Sequence, residues 1–261
     1  MKHQRLIAAI CIAILSVIYL VGYIEWKRIV SAPERSIVAA RAADLAPPFT
    51  PEELRYAPDI TPPSASEGLA PTLYSVNTQH PVVFLTIDDG LYREPEAAAK
   101  MREANIQASL FLTQQYVSQS PDYFASIARE TDSTIQNHTL SHRDLPQLSY
   151  EDQKHEICQT SDNYAATYGK RPDLFRPPYG DYDANTRRAA ADCGMKAVIL
   201  WSATVDGGQM HYQVGDRLRP GDIVLMHFRP LFQHDLAAFV AASKQAGLQP
   251  QLLEDWITPG N

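Results

Sequence analysis

Read for apolar and polar positions, the chain divides into three stretches of different texture. Leu6 to Ile24 is a run of nineteen residues without a charge, and as a helix of about 28 Å it would cross a bilayer core. From residue 31 to about 79 no apolar period is sustained. Eight of the 19 prolines fall there, between Pro33 and Pro71, among Ala, Ser and Glu, which is the composition of a spacer. Phe49, Leu54 and Tyr56 are more apolar than a spacer needs, so packing of that stretch on the body stays open. From about His80 onward, short apolar runs alternate with helical patterns. Val82–Ile87, Ala108–Leu112, Thr134–Ile135, Leu174–Phe175, Lys196–Trp201 and Asp222–Met226 read as strands. Between and after them Glu94–Ala104, Pro121–Glu130, Ser149–Tyr168, Ala184–Cys193 and Asp235–Ala246 read as helices. Such alternation predicts a parallel α/β architecture, either a barrel or an open doubly wound sheet.

The predicted organisation is therefore a membrane anchor over 1–30, a proline-rich linker over 31–79 and a catalytic body over 80–261. Glu25-Trp26-Lys27-Arg28 follows the apolar run where a cleaved signal would have small residues, so an uncleaved anchor is expected. Ile10 before Cys11 argues against a lipid-attachment site. Orientation is contested by charge, because Lys27, Arg28, Arg35 and Arg41 outnumber Lys2 and Arg5 and would by themselves keep the body in the cytoplasm.

Composition narrows the picture further. With 261 residues, 45% hydrophobic and only three cysteines, the chain is neither disordered nor a disulfide-stapled miniature. The net charge of -7 is uneven: residues 1–31 carry +3, which leaves -10 for the rest. An acidic body excludes the basic face that a nucleic-acid partner requires.

The chemistry gathers behind the predicted strands. Asp88-Asp89-Gly90, Asn137 to His142, Arg176 to Gly180, Trp201 to Gly208 and His227 each follow an apolar run. In a parallel α/β fold the C-terminal strand ends share one rim, so five clusters distant in sequence would converge. Taken singly they are ambiguous. Asp88-Asp89-Gly90 reads equally as a turn. His138 and His142, four apart, would share one face of a helical turn, a spacing that suits zinc, but surface pairs at that spacing are common. Adding a strand-end aspartate gives two histidines and one carboxylate, the open and catalytic kind of metal site. Arg176 is either a solvated loop charge or the partner that keeps a carboxylate ionised. His227 is either a core histidine or a functional one. His3, His80, His155, His211 and His234 are read as having no role, His211 lying closest to the rim.

Thr86-Ile87-Asp88-Asp89-Gly90, His138-Thr-Leu-Ser-His142, Arg176-Pro-Pro-Tyr179 and Leu225-Met226-His227 resemble, in that order and spacing, the motifs of the polysaccharide deacetylase family, or NodB-homology domain. The resemblance spans roughly residues 80 to 250. It implies a distorted (β/α) barrel, here preceded by an N-terminal transmembrane helix, that removes N-acetyl groups from a glycan with zinc or another divalent metal such as cobalt. It assigns Asp89, His138 and His142 to the metal and Asp88 to the general base, with Arg176 as its partner. The backbone N–H of Tyr179 would stabilise the oxyanion, His227 would protonate the leaving amine, and Trp201 and Leu225 would wall the acetyl pocket.

Two departures stand out. The family's fourth motif usually supplies an aspartate that supports the catalytic histidine, and Asp206 is the one nearby carboxylate able to do so. Leu91-Tyr92 follow Gly90 where many members have proline, which alters the cleft wall. The same constellation also suits an O-acetyl esterase or a glycan-binding member that has lost turnover. A cell-envelope substrate, peptidoglycan first, would place the body outside the cytoplasm despite the flanking charges, since long domains cross largely regardless of them. Cys158 and Cys193 could then be bridged, or remain two buried thiols.

Overall fold

The computed structural model describes residues 68–257, so the expected anchor, the spacer up to residue 67 and the last four residues lie outside the described residues. No helix among the described residues is long and apolar enough to cross a membrane. Ten strands form one sheet: β1 (Thr72–Leu73), β2 (Val82–Asp89), β3 (Ser109–Leu112), β4 (Thr134–Asn137), β5 (Leu174–Phe175), β6 (Ala197–Ile199), β7 (Ala203–Asp206), β8 (Gln209–Tyr212), β9 (Ile223–His227) and β10 (Gln249–Gln251). The path runs β1-β6-β5-β4-β3-β2-β9-β7-β8, with β10 added to the first half of β2. Every pairing is parallel except that of β7 with β8. The path has two ends, so the barrel expected from the sequence is an open, curled sheet rather than a closed cylinder.

Among the described residues seven α-helices accompany the sheet, the first six between strands and the last after β10: α1 (Ala97–Glu103), α2 (Gln114–Val117), α3 (Pro121–Glu130), α4 (Tyr150–Tyr168), α5 (Ala184–Asp192), α6 (Phe232–Gln245) and α7 (Leu253–Ile257). Their ends follow local chemistry. Ser149 caps α4 by accepting from the Asp152 N–H, and Gly169, at φ 76°, ends it in the left-handed conformation that costs glycine little. Asp183 and Thr186 form a capping box at the start of α5.

The period-2 alternation of β2 sorts its side chains between two environments. Val83, Leu85 and Ile87 pack with Met101 of α1, Phe124 of α3 and Phe239 of α6 in one buried cluster. Val82 and Phe84 point the other way, into the concave side, with Phe111, Leu174, Ile199 and Trp256. A fully buried phenylalanine of this kind contributes about 1.5–3 kcal/mol. Thr86 and Asp88 continue that inward row towards the C-terminal end of the strand, so the apolar interior becomes polar as it approaches the rim.

The fold departs from the sequence expectation at its edges. Residues predicted as linker contribute β1, whose Thr72 and Leu73 pair with Val198 and Ile199, while Ala70 and Val76 are buried. The body therefore begins before His80. Trp201 to Gly208, expected as one polar cluster, is mostly the start of a hairpin, with Gly207 and Gly208 at φ 59° and 75° between β7 and β8. Cys158 of α4 and Cys193, just after α5, form a disulfide with a Cα–Cα distance of 4.9 Å, which resolves that open alternative in favour of the bridge.

Candidate active site

The ends of β2, β4, β5 and β9 bring the sequence-predicted polar residues to one rim. Parallel register sets Asp88 opposite His227 and Thr86 opposite Leu225, which places these four residues on adjoining strands. Asp89, at φ 77°, breaks the alternation of β2 at its last residue. Gly90 follows at φ 79°, and a Cβ there would meet Val117 Cγ1 at 2.6 Å, so this sharp exit from the strand requires glycine.

Arg176 is the centre of the buried network. Its side chain is 0% exposed, and it crosses the concave side from the end of β5 to β2 and β6. Nη1 donates to Asp88 Oδ1 at 2.7 Å and to Thr86 Oγ1 at 2.8 Å. Nε donates to the Ile199 carbonyl and Nη2 to that of Leu200, each at 3.1 Å. The guanidinium carbon lies 4.4 Å from the Phe111 ring centroid and 5.7 Å from that of Trp201. A buried arginine with these partners fixes one carboxylate oxygen by a charge-assisted hydrogen bond. The second oxygen of Asp88 is 3.6 Å from His138 Nε2.

Asp89, His138 and His142 form the adjacent cluster, their candidate ligand atoms all within 4.8 Å of one another. Asp89 Oδ1 is 3.6 Å from His138 Nε2 and 3.3 Å from His142 Nε2, and it is buried without a hydrogen-bond partner. His138 Nδ1 is 2.8 Å from the Arg176 carbonyl, which can only accept, so the proton sits on Nδ1 and Nε2 is left with its lone pair towards the cluster. Burial alone would push Asp89 up, but His138 and His142 outweigh it and hold it far below the carboxylate range. Burial likewise pulls His138 down, and Asp88 and Asp89 reverse the effect. The two shifts are reciprocal, the carboxylates and the imidazoles favouring each other's charged forms, and an orphaned carboxylate oxygen beside two imidazole nitrogens suits a divalent cation.

The two histidines meet by a different route from the helical turn expected. Residues 138–142 form a loop in which Thr139 and His142 have φ of 72° and 59°. Asn137 Oδ1 accepts from the Thr139 N–H at 2.9 Å, and buried Glu156 of α4 accepts from the Ser141 N–H at 2.9 Å. The Tyr179 segment is also tightly turned, with φ 62° at an exposed tyrosine whose ring centroid is 4.9 Å from that of His142. A Cβ on the next residue, Gly180, would meet the Trp201 ring at 2.8 Å, so close passage of backbone over Trp201 depends on that glycine. Leu225 is buried between Thr86 and the β7 register partner Thr204.

His227 differs from the expectation. Its Nδ1 is engaged by Nη2 of Arg229, and Asp206 bonds not to the histidine but to Arg229, Oδ1 to Nη1 at 3.0 Å. Burial pulls His227 below its ordinary value and Arg229 adds to this, against the opposing pull of Asp88 and Asp89. The turn that carries Asp206 is itself tied down, because the Gly208 N–H donates to Asp235 Oδ1 of α6 at 2.7 Å. Arg229, Asp235 and Glu156 were missed in the sequence, where none belongs to a recognisable spacing, and Asn137 was read only as the first residue of its polar cluster, with no role of its own.

Comparison with known proteins places this geometry in context. The polysaccharide deacetylase family model matches residues 75–198. An uncharacterized protein of Streptomyces coelicolor is 43% identical over 195 residues, 74% of this chain and 76% of that protein. The peptidoglycan-N-acetylglucosamine deacetylase of Bacillus cereus is 30% identical over 156 residues, 57% of this chain and 56% of its own length. Among solved structures, the chitin deacetylase of Colletotrichum lindemuthianum superposes with a TM-score of 0.64 at 19% identity, covering 74% of this chain and 95% of that one. A family 4 carbohydrate esterase pseudoenzyme of Bacillus anthracis superposes with a TM-score of 0.62 at 19% identity, covering 76% and 70%. At such identities the likeness establishes the fold alone, and the site residues must carry the argument for turnover.

Proposed function

The chain belongs to the polysaccharide deacetylase family, hydrolases of carbon–nitrogen bonds, and on that premise we propose that it removes N-acetyl groups from a cell-envelope glycan, peptidoglycan first. The observation that carries this reading is the junction of a buried ion pair with a partly buried cluster: Asp88, gripped by Arg176 at 2.7 Å, faces the Asp89–His138–His142 cluster through its second oxygen. When bound by Asp89, His138 and His142, a divalent metal, zinc first and cobalt as an alternative, supplies Lewis-acid polarisation of the acetyl carbonyl and an acidified water.

The chain's own residues divide the remaining work. Asp88 takes the proton of the attacking water, and Arg176 fixes that carboxylate in direction. The Tyr179 N–H is assigned to the oxyanion. His227 is assigned the proton that the departing nitrogen must gain, because an amine anion is too poor a leaving group, and only the imidazolium, with Arg229 displaced from Nδ1, can give one. Leu225 and Trp201 wall the acetyl methyl. The B. cereus relative, named for peptidoglycan N-acetylglucosamine, supports the substrate class.

The apolar run Leu6–Ile24 supports a single-pass membrane anchor, and the Cys158–Cys193 bridge supports an oxidising, extracytoplasmic location for the body. Acetate release from purified peptidoglycan, measured beside metal content, tests the assignment. Wild type should release acetate, Asp88→Asn should keep the metal but lose about 10²–10⁴-fold in rate, and His138→Ala should lose both. Undiminished release from Asp88→Asn would overturn it.

A further inference from the structure

The two histidines of the metal cluster are delivered by a loop that a free peptide would rarely adopt. Thr139 and His142 both stand at positive φ, 72° and 59°, a region that residues with a Cβ seldom populate. Something outside the loop must therefore hold it, and the fate of its N–H groups shows what does. His138 donates to the Leu112 carbonyl of β3, Thr139 to Asn137 Oδ1 at 2.9 Å and His142 to Thr139 Oγ1 at 3.0 Å. The other two go to one residue of α4: Leu140 donates to the Glu156 carbonyl at 3.1 Å and Ser141 to Glu156 Oε2 at 2.9 Å. Ser141 Oγ adds a bond to Glu156 Oε1 at 2.5 Å.

The same helix holds the other end of the loop. Asn137 donates from Nδ2 to the Ile157 carbonyl and to Ser161 Oγ, each at 2.8 Å. Each histidine is thus preceded by a residue tied to α4, Asn137 for His138 and Ser141 for His142. The base is firm, because Glu156 and Asn137 are both buried and Cys158, two residues beyond Glu156, is bridged to Cys193 after α5. His138 is steered at its ring as well, with Nδ1 on the Arg176 carbonyl, whereas His142 takes its place through the backbone of Ser141.

We propose that Glu156 is the positioning residue of His142, holding Ser141 from α4 so that both imidazoles are gathered before a cation arrives, with Asn137 serving His138 in the same way. This role presupposes the metal site of the deacetylase reading, but the hold itself can be measured in the metal-free protein. A carboxylate fits the task because Ser141 offers two donors and each oxygen takes one. Glutamine can replace it, Oε1 accepting from the N–H while Nε2 donates to the hydroxyl oxygen. Alanine keeps the helix and loses both side-chain bonds.

Two measurements on the purified protein test this. In zinc-free wild type, amide hydrogen exchange followed by NMR should find the Leu140 and Ser141 N–H groups slowed by about 100-fold or more relative to an unstructured peptide. Exchange at the peptide rate, with protection only after zinc is added, would overturn the proposal, because the cation and not α4 would then shape the loop. The second measurement is zinc affinity, read by chelator competition on variants shown to be folded by circular dichroism. Glu156→Ala should bind zinc about 10–100-fold more weakly, and Glu156→Gln should stay within about threefold of wild type. Unchanged affinity in Glu156→Ala, whatever its loss in stability, would make Glu156 merely structural and overturn the proposal. Equal losses in the two variants would do the same, since charge and not the hold on Ser141 would then matter. Should Glu156→Ala fail to fold, the exchange measurement on wild type still decides. Zinc binding without acetate release would count against the deacetylase reading alone, and unprotected loop amides beside full acetate release against Glu156 alone.

Discussion

The concave side of the sheet holds two buried carboxylates at opposite ends, and they are stabilised in contrasting ways. Asp88, near the C-terminal strand ends, is paired with a fully buried arginine at 2.7 Å. Glu254, on α7 at the other end, accepts from Ser109 Oγ at 2.7 Å, from Gln136 Nε2 at 2.6 Å and from the Thr134 hydroxyl. Between them lie Phe84, Phe111, Leu174, Ile199 and Trp256. Asp88 has a guanidinium at one oxygen, whereas at Glu254 the hydroxyl and amide donors do not overcome burial, which pushes this group up. The same side-chain chemistry thus serves reactivity at one end and closure of the core at the other.

The equivalent change at both ends is the sharpest way to break the comparison. Asp88→Asn should remove about 10²–10⁴-fold of activity and also destabilise, by about 3 kcal/mol, because it leaves a buried guanidinium unbalanced. Chemical denaturation beside the acetate assay measures both, and a variant as stable as wild type would show that the pair is not coupled to folding. Next in size, Arg176→Met should cost about 3–5 kcal/mol, and combining it with Asp88→Leu should recover much of that loss without restoring activity. A double variant no more stable than Arg176→Met alone would contradict this account. The smallest effect belongs to Glu254→Gln, expected within about 1 kcal/mol near neutral pH.

Glu254 also carries a pH signature. Its folded value is raised, so the folded state keeps a proton that the unfolded chain has already released, and this contribution to stability is lost as pH rises through the folded value. The difference in unfolding free energy between Glu254→Gln and wild type should therefore grow in favour of the variant from mildly acidic to neutral pH. A difference independent of pH would show that Glu254 is ionised in the folded state.

The legibility of the chain followed the strength of each local signal. Strand β2 announces itself as the apolar run Val82–Ile87, and its polar continuation Asp88–Asp89 marks the rim. Helix α4 is legible from its serine cap and terminal glycine. Strands β1 and β10, of two and three residues, depend on partners far along the chain and have no period to read. The β7–β8 hairpin was readable, since Gly207-Gly208 between Thr-Val-Asp and Gln-Met-His is a two-residue turn signal that was absorbed into a supposed polar cluster. His138 and His142 converge as their spacing suggested, but through positive-φ loop geometry that spacing cannot reveal. Glu254 could have been noticed, with Asp255, as an acidic pair set between Leu252, Leu253, Trp256 and Ile257, whereas Arg229 had no signal beyond following His227 by two residues.

The closure at Glu254 also imposes an order on the chain's maturation. Strand β10 completes the first half of β2, and α7 fills the end of the interior with Trp256 and Glu254, so a segment near residue 85 waits for one beyond residue 249. A nascent chain cannot complete its core while residues 249–257 are still being synthesised, and it exposes Phe84 and Phe111 until they arrive.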